Sequence, residues 1–308
     1  LCRPKINVIM ITKLNDLFDE LKSRPIKRIV GAYACDSHTI GAIYDAVKRG
    51  IVKATLVGDE GKINEVCKEE NIDVTLFDIV NEPVDTKAAA KAVELINKGE
   101  GDILMKGSLS TDRYMKAILN KENGLVPPKA VLSHVSVIET PGYHKLLVVG
   151  DVAIIPAPDL DQKIAITNYL IKTARALGND KPKVALIAAT EQVLVKMPAC
   201  VDASIISKMA DRGQVKSAIV DGPLALDVAI DMESVEIKGI KSPVAGDADC
   251  LVFPNIESGN VFYKTNTKFC KAELGAFVAG AKCPCVLSSR GDSVNTKLYS
   301  IALAALLA

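Results

Sequence analysis

Short apolar runs alternate with longer amphipathic segments along almost the whole chain. KRIVGAYA, KATLVGD, VTLFDIV, DILMKG, KAVLSHVSVIE, KLLVVGDVAII, KVALIAAT, SAIVDG, DCLVFPN and PCVLSS are rich in Val, Ile and Leu and read as strands. LNDLFDELKS, TIGAIYDAVKRG, EGKINEVCKEEN, DTKAAAKAVELINKG, TDRYMKAILNKENG, DQKIAITNYLIKTARALG and VNTKLYSIALAALLA carry apolar residues at helical spacing and read as helices. A strand covered on both faces has no polar side to show, and parallel neighbours need a long crossover, usually a helix. The alternation therefore predicts an α/β chain with mainly parallel sheets between helical layers. Gly50, Gly99, Gly124 and Gly178 are expected to close helices in the left-handed conformation.

A chain of 308 residues is long enough for one large or two medium domains. Two breaks mark candidate crossings: the Pro pair in LVPPKA (125–130) and the small-residue stretch VAGAKCPC (278–285). They divide the chain into a first domain of residues 1–127 plus 279–308 and a second of residues 128–278. MITKLNDLFDEL, from Met10, reads as a natural start, and residues 1–9 carry little weight in the argument. No apolar run approaches the roughly 20 residues of a membrane span, and the first residues lack the pattern of a secretory signal.

A formal net charge of +1 argues against a nucleic-acid binder, and 4% aromatics with no Trp offer no stacking platform. The eight cysteines are scattered, without a C-x-x-C pair, and several lie in apolar runs such as DADCLVF. They read as buried thiols of a reducing, cytoplasmic compartment and not as a zinc site or a disulfide frame. His38, His134 and His144 lie too far apart in sequence to propose a metal centre, and each reads as a structural histidine.

In open parallel sheets ligands bind outside the carboxyl ends of strands. The loops there are CDSH, MKGSLST, APD, ATEQ, DGPLALD, FPNIESGN and SSRGDS. There is no Walker-type or G-x-G-x-x-G loop, no G-x-S-x-G elbow and no H-E-x-x-H. MKGSLST and SSRGDS share one logic: each follows a strand, opens a helix, and offers backbone N–H groups, hydroxyls and a cation. That combination suits a phosphate or another oxyanion. Arg290 can grip a phosphate with two parallel hydrogen bonds, and Lys106, with Arg113 or Lys116, adds charge from the other loop. LVFPNIESGNVFYK gathers Asn255, Glu257, Gly259 and Asn260 at a helix start, more polar groups than one cap needs.

These segments, ILMKGSLST, GDVAIIPAPDLDQK, VDGPLALD, LVFPNIESGNVFYK and LSSRGDSVNTKLYSIALA, resemble the phosphate acetyltransferase/phosphate butyryltransferase family in letters, order and spacing from about Met10 onward. The resemblance implies two doubly wound α/β domains of the isocitrate/isopropylmalate-dehydrogenase-like type with the active site in the cleft between them, and a homodimer. It implies reversible transfer of an acyl group between coenzyme A and phosphate, with coenzyme A as substrate, no tightly bound cofactor and no metal. Carried over by motif, Arg290 holds phosphate, Ser289 lies near the thiol, and Lys106, Gly107, Ser108, Ser110, Thr111, Asn255, Glu257, Gly259, Asn260 and Lys264 line the substrate cleft. Lys116, or Arg113 in a shifted alignment, stands where acetyl-type members carry an Arg. Thr296 stands where they carry the Asp proposed to deprotonate the thiol, which leaves Asp292 as the carboxylate in that loop, a base or merely a cap. The S-R-x-D-S-x-x-T-K-L pattern resembles the butyryl branch, and a butyryl group is expected over acetyl.

The alternatives are other enzymes on the same fold: a metal- and NAD-dependent oxidative decarboxylase, or a transferase using acyl carrier protein. The former needs clustered carboxylates, and the close pair Asp247 and Asp249 in GDADC is expected instead to cap a turn. A non-enzymatic reading takes Arg290-Gly291-Asp292-Ser293 as an adhesion tetrapeptide, which the free thiols and missing signal pattern oppose.

Overall fold

In a computed structural model, which describes residues 10–287 and 293–308, the chain forms one mixed α/β molecule. Its strands are β1 (Lys27–Ala32), β2 (Val52–Gly58), β3 (Phe77–Asn81), β4 (Ile103–Lys106), β5 (Ser133–Glu139), β6 (Leu147–Gly150), β7 (Lys183–Ile187), β8 (Ile219–Leu224), β9 (Cys250–Val252), β10 (Glu273–Ala279) and β11 (Cys285–Val286). The helices are α1 (Asp16–Lys22), α2 (Ser37–Lys48), α3 (Glu60–Glu69), α4 (Asp85–Asn97), α5 (Thr111–Ile118), α6 (Leu160–Ala176), α7 (Pro198–Asp211), α8 (Leu226–Ile230), α9 (Met232–Lys238), α10 (Ile256–Lys268) and α11 (Val294–Leu307).

The strands form a single sheet in the order β3-β2-β1-β4-β11-β10-β5-β6-β9-β7-β8. Its two flanks, β3 to β11 and β6 to β8, are each parallel throughout. Strands β10 and β5 join them through antiparallel pairings. Each flank is thus a doubly wound unit, and the reversal in the centre makes them point in opposite directions.

The core explains where a cleft can open. One apolar cluster runs under the whole sheet, from Leu14, Ile29 and Ile43 through Val135 and Val137 to Leu170 and Ile206. On the other face the core is split. One cluster packs α4 and α5 on β1 and β4 through Ala92, Leu104 and Tyr114. A separate one packs α8 to α10 on β6 and β9 through Val149, Leu251 and Phe253. Between them no helix among the described residues bridges the central strands, and a groove opens over them.

The sequence expectation needs three corrections. ELGAFVA forms β10, the strand that joins the flanks, yet it reads poorly as a strand because it opens on Glu and carries an internal Gly. Helices α7, α8 and α9 lie in stretches that carry no clean apolar period. Gly50, Gly99 and Gly178 do adopt positive φ (71°, 75° and 99°), whereas Gly124 does not. Helix α5 ends six residues earlier, and Gly124 is needed for a close approach: a Cβ there would lie 2.3 Å from the Asn120 carbonyl oxygen.

Candidate active site

The groove is a cleft of about 840 Å³ lined from both flanks. On the first side, β4 delivers Lys106 at its carboxyl end, and the chain turns through Gly107–Leu109 into α5. This corner is stitched to the loop after β1. The Gly107 N–H donates to the Ala32 carbonyl at 2.9 Å, and the Ser108 N–H and Oγ donate to the Tyr33 carbonyl at 3.0 and 3.1 Å. A Cβ at Gly107 would sit 2.2 Å from the Tyr33 oxygen, so only glycine permits this approach. Lys106 Nζ donates to the Gly107 and Leu109 carbonyls, both at 3.0 Å, which fixes the cation at the mouth of the corner. Ser110 caps α5 by accepting from the Arg113 N–H, and Ser110 and Thr111 face the cleft. Arg113 itself pairs with Asp85.

On the opposite side the chain leaves β6 into a turn organised by Asp151. Its buried carboxylate accepts from Ser133 Oγ and from the N–H groups of His134, Ala153 and Ile154, at 2.7–3.0 Å. Helix α10 docks on this turn. A Cβ at Gly259 would lie 2.3 Å from the Asp151 carbonyl oxygen, and Asn260 Nδ2 donates to the Val152 carbonyl at 3.0 Å. The docking turns one face of α10 to the groove, so that Asn260, Tyr263, Lys264, Thr267 and Lys268 line it, continued by Lys271 and Glu273. Lys264, Lys268 and Lys271 make no ion pair among the described residues, so their charge is available to an anion. Ser293 caps α11, accepting from the Thr296 N–H at 3.0 Å, and both side chains face the cleft.

Two helix starts and four lysines thus meet over the central strands, an arrangement that suits a multiply charged phosphate compound. Several cysteine thiols, those of Cys35, Cys67 and Cys250 among them, are pushed up by burial. No cysteine among the described residues lines the cleft.

Of the residues singled out by sequence, Lys106, Ser110, Thr111, Asn260 and Lys264 come together on the cleft wall. Gly107, Ser108 and Gly259 stand behind it and hold the walls in place. Asn255 and Glu257 do not line it: Asn255 is the N-cap of α10, accepting from the Ser258 N–H at 2.9 Å, and Glu257 is exposed. Lys116 is exposed on α5, outside the lining. Ser289, Arg290 and Asp292 fall outside the described residues. Asp247 and Asp249 are not turn caps but members of an ion cluster. Lys145 Nζ lies 2.8 Å from both, and Lys183 Nζ lies 2.8 Å from Asp247.

Sequence reasoning missed His134, Tyr263, Lys268, Lys271 and Glu273. Lys268 carries a signal that could have been used, because 264 and 268 recur at the spacing of one helix face, whereas Lys271 lies past the end of α10 with a φ of 51°. His134 carries none, since its place depends on the pairing of β5 with β10, across 144 residues of chain from His134 to Val278.

This fold and this cleft define a two-flank α/β enzyme that handles phosphorylated substrates. The family model described as phosphate acetyl/butaryl transferase matches residues 73–305. A phosphate butyryltransferase of Clostridium acetobutylicum is 46% identical over 299 residues, covering 97% of this chain and 99% of that protein. A phosphate acetyltransferase of Rhizobium meliloti is 43% identical over 277 residues, covering 90% of this chain and 87% of that protein. Among solved structures, a branched-chain phosphotransacylase from Enterococcus faecalis V583 superposes with a TM-score of 0.79 at 32% identity, covering 92% of this chain and 99% of that one. The chain belongs to the phosphate acetyl/butyryl transferase family, and it is an acyltransferase.

Proposed function

We propose that this enzyme reversibly transfers a short acyl group between coenzyme A and inorganic phosphate, with butyryl favoured over acetyl. The observation that carries the reading is the cleft itself: Lys106, Lys264, Lys268 and Lys271 with the starts of α5 and α11, over a groove of about 840 Å³. That volume takes a phosphate, a short acyl chain and the pantetheine arm together. The two similar proteins from Clostridium acetobutylicum and Rhizobium meliloti support the butyryl and acetyl alternatives by name, and the greater identity goes to the former.

In this reading the thiolate of coenzyme A attacks the acyl carbon directly, and the C–O bond to phosphate breaks. No covalent acyl-enzyme is needed, in keeping with a cleft whose described lining offers no thiol. Arg290 stabilises the leaving phosphate, with Ser289 near the thiol, and Lys106, Ser110 and Thr111 hold the phosphate from the other wall. Such preorganised charge stabilisation is worth about 3–4 kcal/mol per donor. Residues 1–127 with 279–308 form one wall-bearing domain and residues 128–278 the other. The enzyme works as a cytoplasmic homodimer with coenzyme A as a dissociable substrate.

The test is a panel of acetyl-, propionyl-, butyryl- and isobutyryl-CoA with phosphate, following free thiol. Butyryl-CoA is expected to give the highest kcat/KM, and release from none of them would refute acyl transfer. Arg290→Ala is expected to lower kcat by about a hundredfold or more; near-normal turnover would remove Arg290 from the mechanism.

A further inference from the structure

Thiol attack needs a proton acceptor, and Thr296 supplies none. Its hydroxyl lies 3.0 Å from Ser293 Oγ, and a hydroxyl is a poor base at neutral pH. A thiol with a pKa of about 8.5 is only a few per cent ionised at neutral pH. The cleft must therefore be searched for a group that takes up a proton in that range.

Among the described residues, two lining side chains besides the lysines can accept one: His134 and Glu273. They lie on opposite faces of the sheet. Glu273 pairs with Glu139, and His134 pairs with Val278, five residues further along β10. An odd separation along a strand reverses the face. Glu273 thus belongs to the side of the continuous core, as Phe277 does. His134 shares its face with Leu274 and Ala276, on the floor of the groove between the two upper clusters.

We propose that His134 is the general base that deprotonates the coenzyme A thiol, a role that rests on the acyl-transfer reading above. The residue is held in place through its backbone and its ring. The backbone N–H donates to Asp151 at 3.0 Å, the ring meets Tyr263 edge-on at 6.2 Å, and Nδ1 lies 3.4 Å from Ser136 Oγ. The role calls for the tautomer in which Nδ1–H donates to Ser136 and Nε2 carries the lone pair. The thiol proton passes to Nε2, the S–C bond forms, and the C–O bond to phosphate breaks with its electrons leaving on phosphate. In the reverse direction the imidazolium returns the proton to the departing thiolate. Among the described residues, Asp151 accepts from the His134 backbone N–H, Tyr263 meets the ring, and Lys106, Lys264, Lys268, Lys271 and Glu273 line the same cleft.

The experiment measures kcat and KM for thioester formation from butyryl phosphate and coenzyme A, between about pH 5.5 and about pH 9, for the wild type and His134→Gln. The wild-type kcat/KM is expected to fall below the imidazole range, about pH 6.5. The variant should lose about a hundredfold in kcat at neutral pH, with KM for coenzyme A within about threefold. Its rate should then climb about tenfold per pH unit toward the thiol pKa of about 8.5, as hydroxide replaces the missing base. A kcat within about threefold of wild type, or the same fractional loss at every pH, overturns the proposal. If His134→Gln does not fold, His134→Asn is measured, and a wild-type profile with no ionisation between about pH 5.5 and about 7.5 overturns it as well. A wild type that forms no thioester refutes the acyl-transfer reading. An active wild type with a pH-independent loss in the variant refutes only the assignment of His134.

Discussion

The amino edge of the β6–β9–β7 flank and the cleft side of α10 carry lysines into opposite surroundings. At the amino edge Lys145, before β6, and Lys183, the first residue of β7, are matched by Asp247 and Asp249, with His144 Nε2 3.0 Å from Asp247. On the cleft side of α10 and the turn after it, which run from the end of β9 back to the start of β10, Lys264, Lys268 and Lys271 line the cleft with no carboxylate within ion-pair distance among the described residues. The same residue type is neutralised where the flank is only held together and left uncompensated where a ligand would bind. Open sheets place ligands at strand carboxyl ends for reasons of backbone geometry. Here the uncompensated charge runs on from that end along α10 to the start of β10.

The comparison is broken most directly on the cleft side of α10. Lys268→Ala with Lys271→Ala removes two cations that we expect to hold the phosphates of coenzyme A. At about 1 kcal/mol for each charge-assisted contact, KM for coenzyme A should rise about thirtyfold with the thermal midpoint nearly unchanged. The loss should shrink as added salt screens the wild-type advantage. An unchanged KM would mean that these lysines merely face solvent.

Lys145→Met at the amino edge should do the reverse. The Asp249 side chain is only 10% exposed, and it would lose the cation that compensates it. Leaving a buried charge short of a partner costs about 1–3 kcal/mol, read as a lower urea midpoint, while KM for coenzyme A stays put. A large KM effect would show that the two regions are coupled and that the division into structural and ligand-binding charge is wrong.

Much of this division was legible in the letters. ILMKGSLST announces a strand, a polar corner and a helix start, and five of the residues named from motifs do reach the cleft. The sequence misled where one chemistry serves two ends. Asn255 and Ser110 are both helix caps with the same local signature, but only the turn carrying Ser110 opens toward the central strands. Which cap faces a ligand depends on how far each helix start stands from the groove. For α10 that is set by Gly259 seated on the Asp151 carbonyl, a contact across 108 residues of chain that no local pattern encodes. The same holds for His134, which one-dimensional reading assigned to structure because its neighbours come from β10 and α10.

The caps offer a finer test. Asn255→Ala and Ser110→Ala should each cost about 1 kcal/mol of stability through a lost N-cap bond. Only Ser110→Ala should also raise KM for phosphate, by a few-fold, because its hydroxyl lines the cleft. Equal kinetic effects from both would place the start of α10 on the binding path after all.

The smallest expected effect is a pH dependence at the amino edge. Burial alone would raise the Asp247 carboxyl, but hydrogen bonds from Lys145, Lys183 and His144 outweigh it and hold the group well below the usual carboxylate range. A carboxyl depressed in the folded state favours folding when ionised. That contribution is complete above the unfolded value of about 3.9 and is lost progressively as the pH falls below it. The Asp247 side chain is 37% exposed, so solvent screens the pairing and the effect is modest. Urea unfolding of the wild type and Asp247→Asn should therefore differ at about pH 7 and about pH 5, and the difference should narrow by about pH 3. The cleft lysines on and after α10 have no such partner among the described residues, so Lys268→Ala should show no acid-dependent change in stability. A difference for Asp247→Asn that persists undiminished in acid would mean that the asparagine disturbs packing, and that the ion cluster is not what distinguishes the two regions.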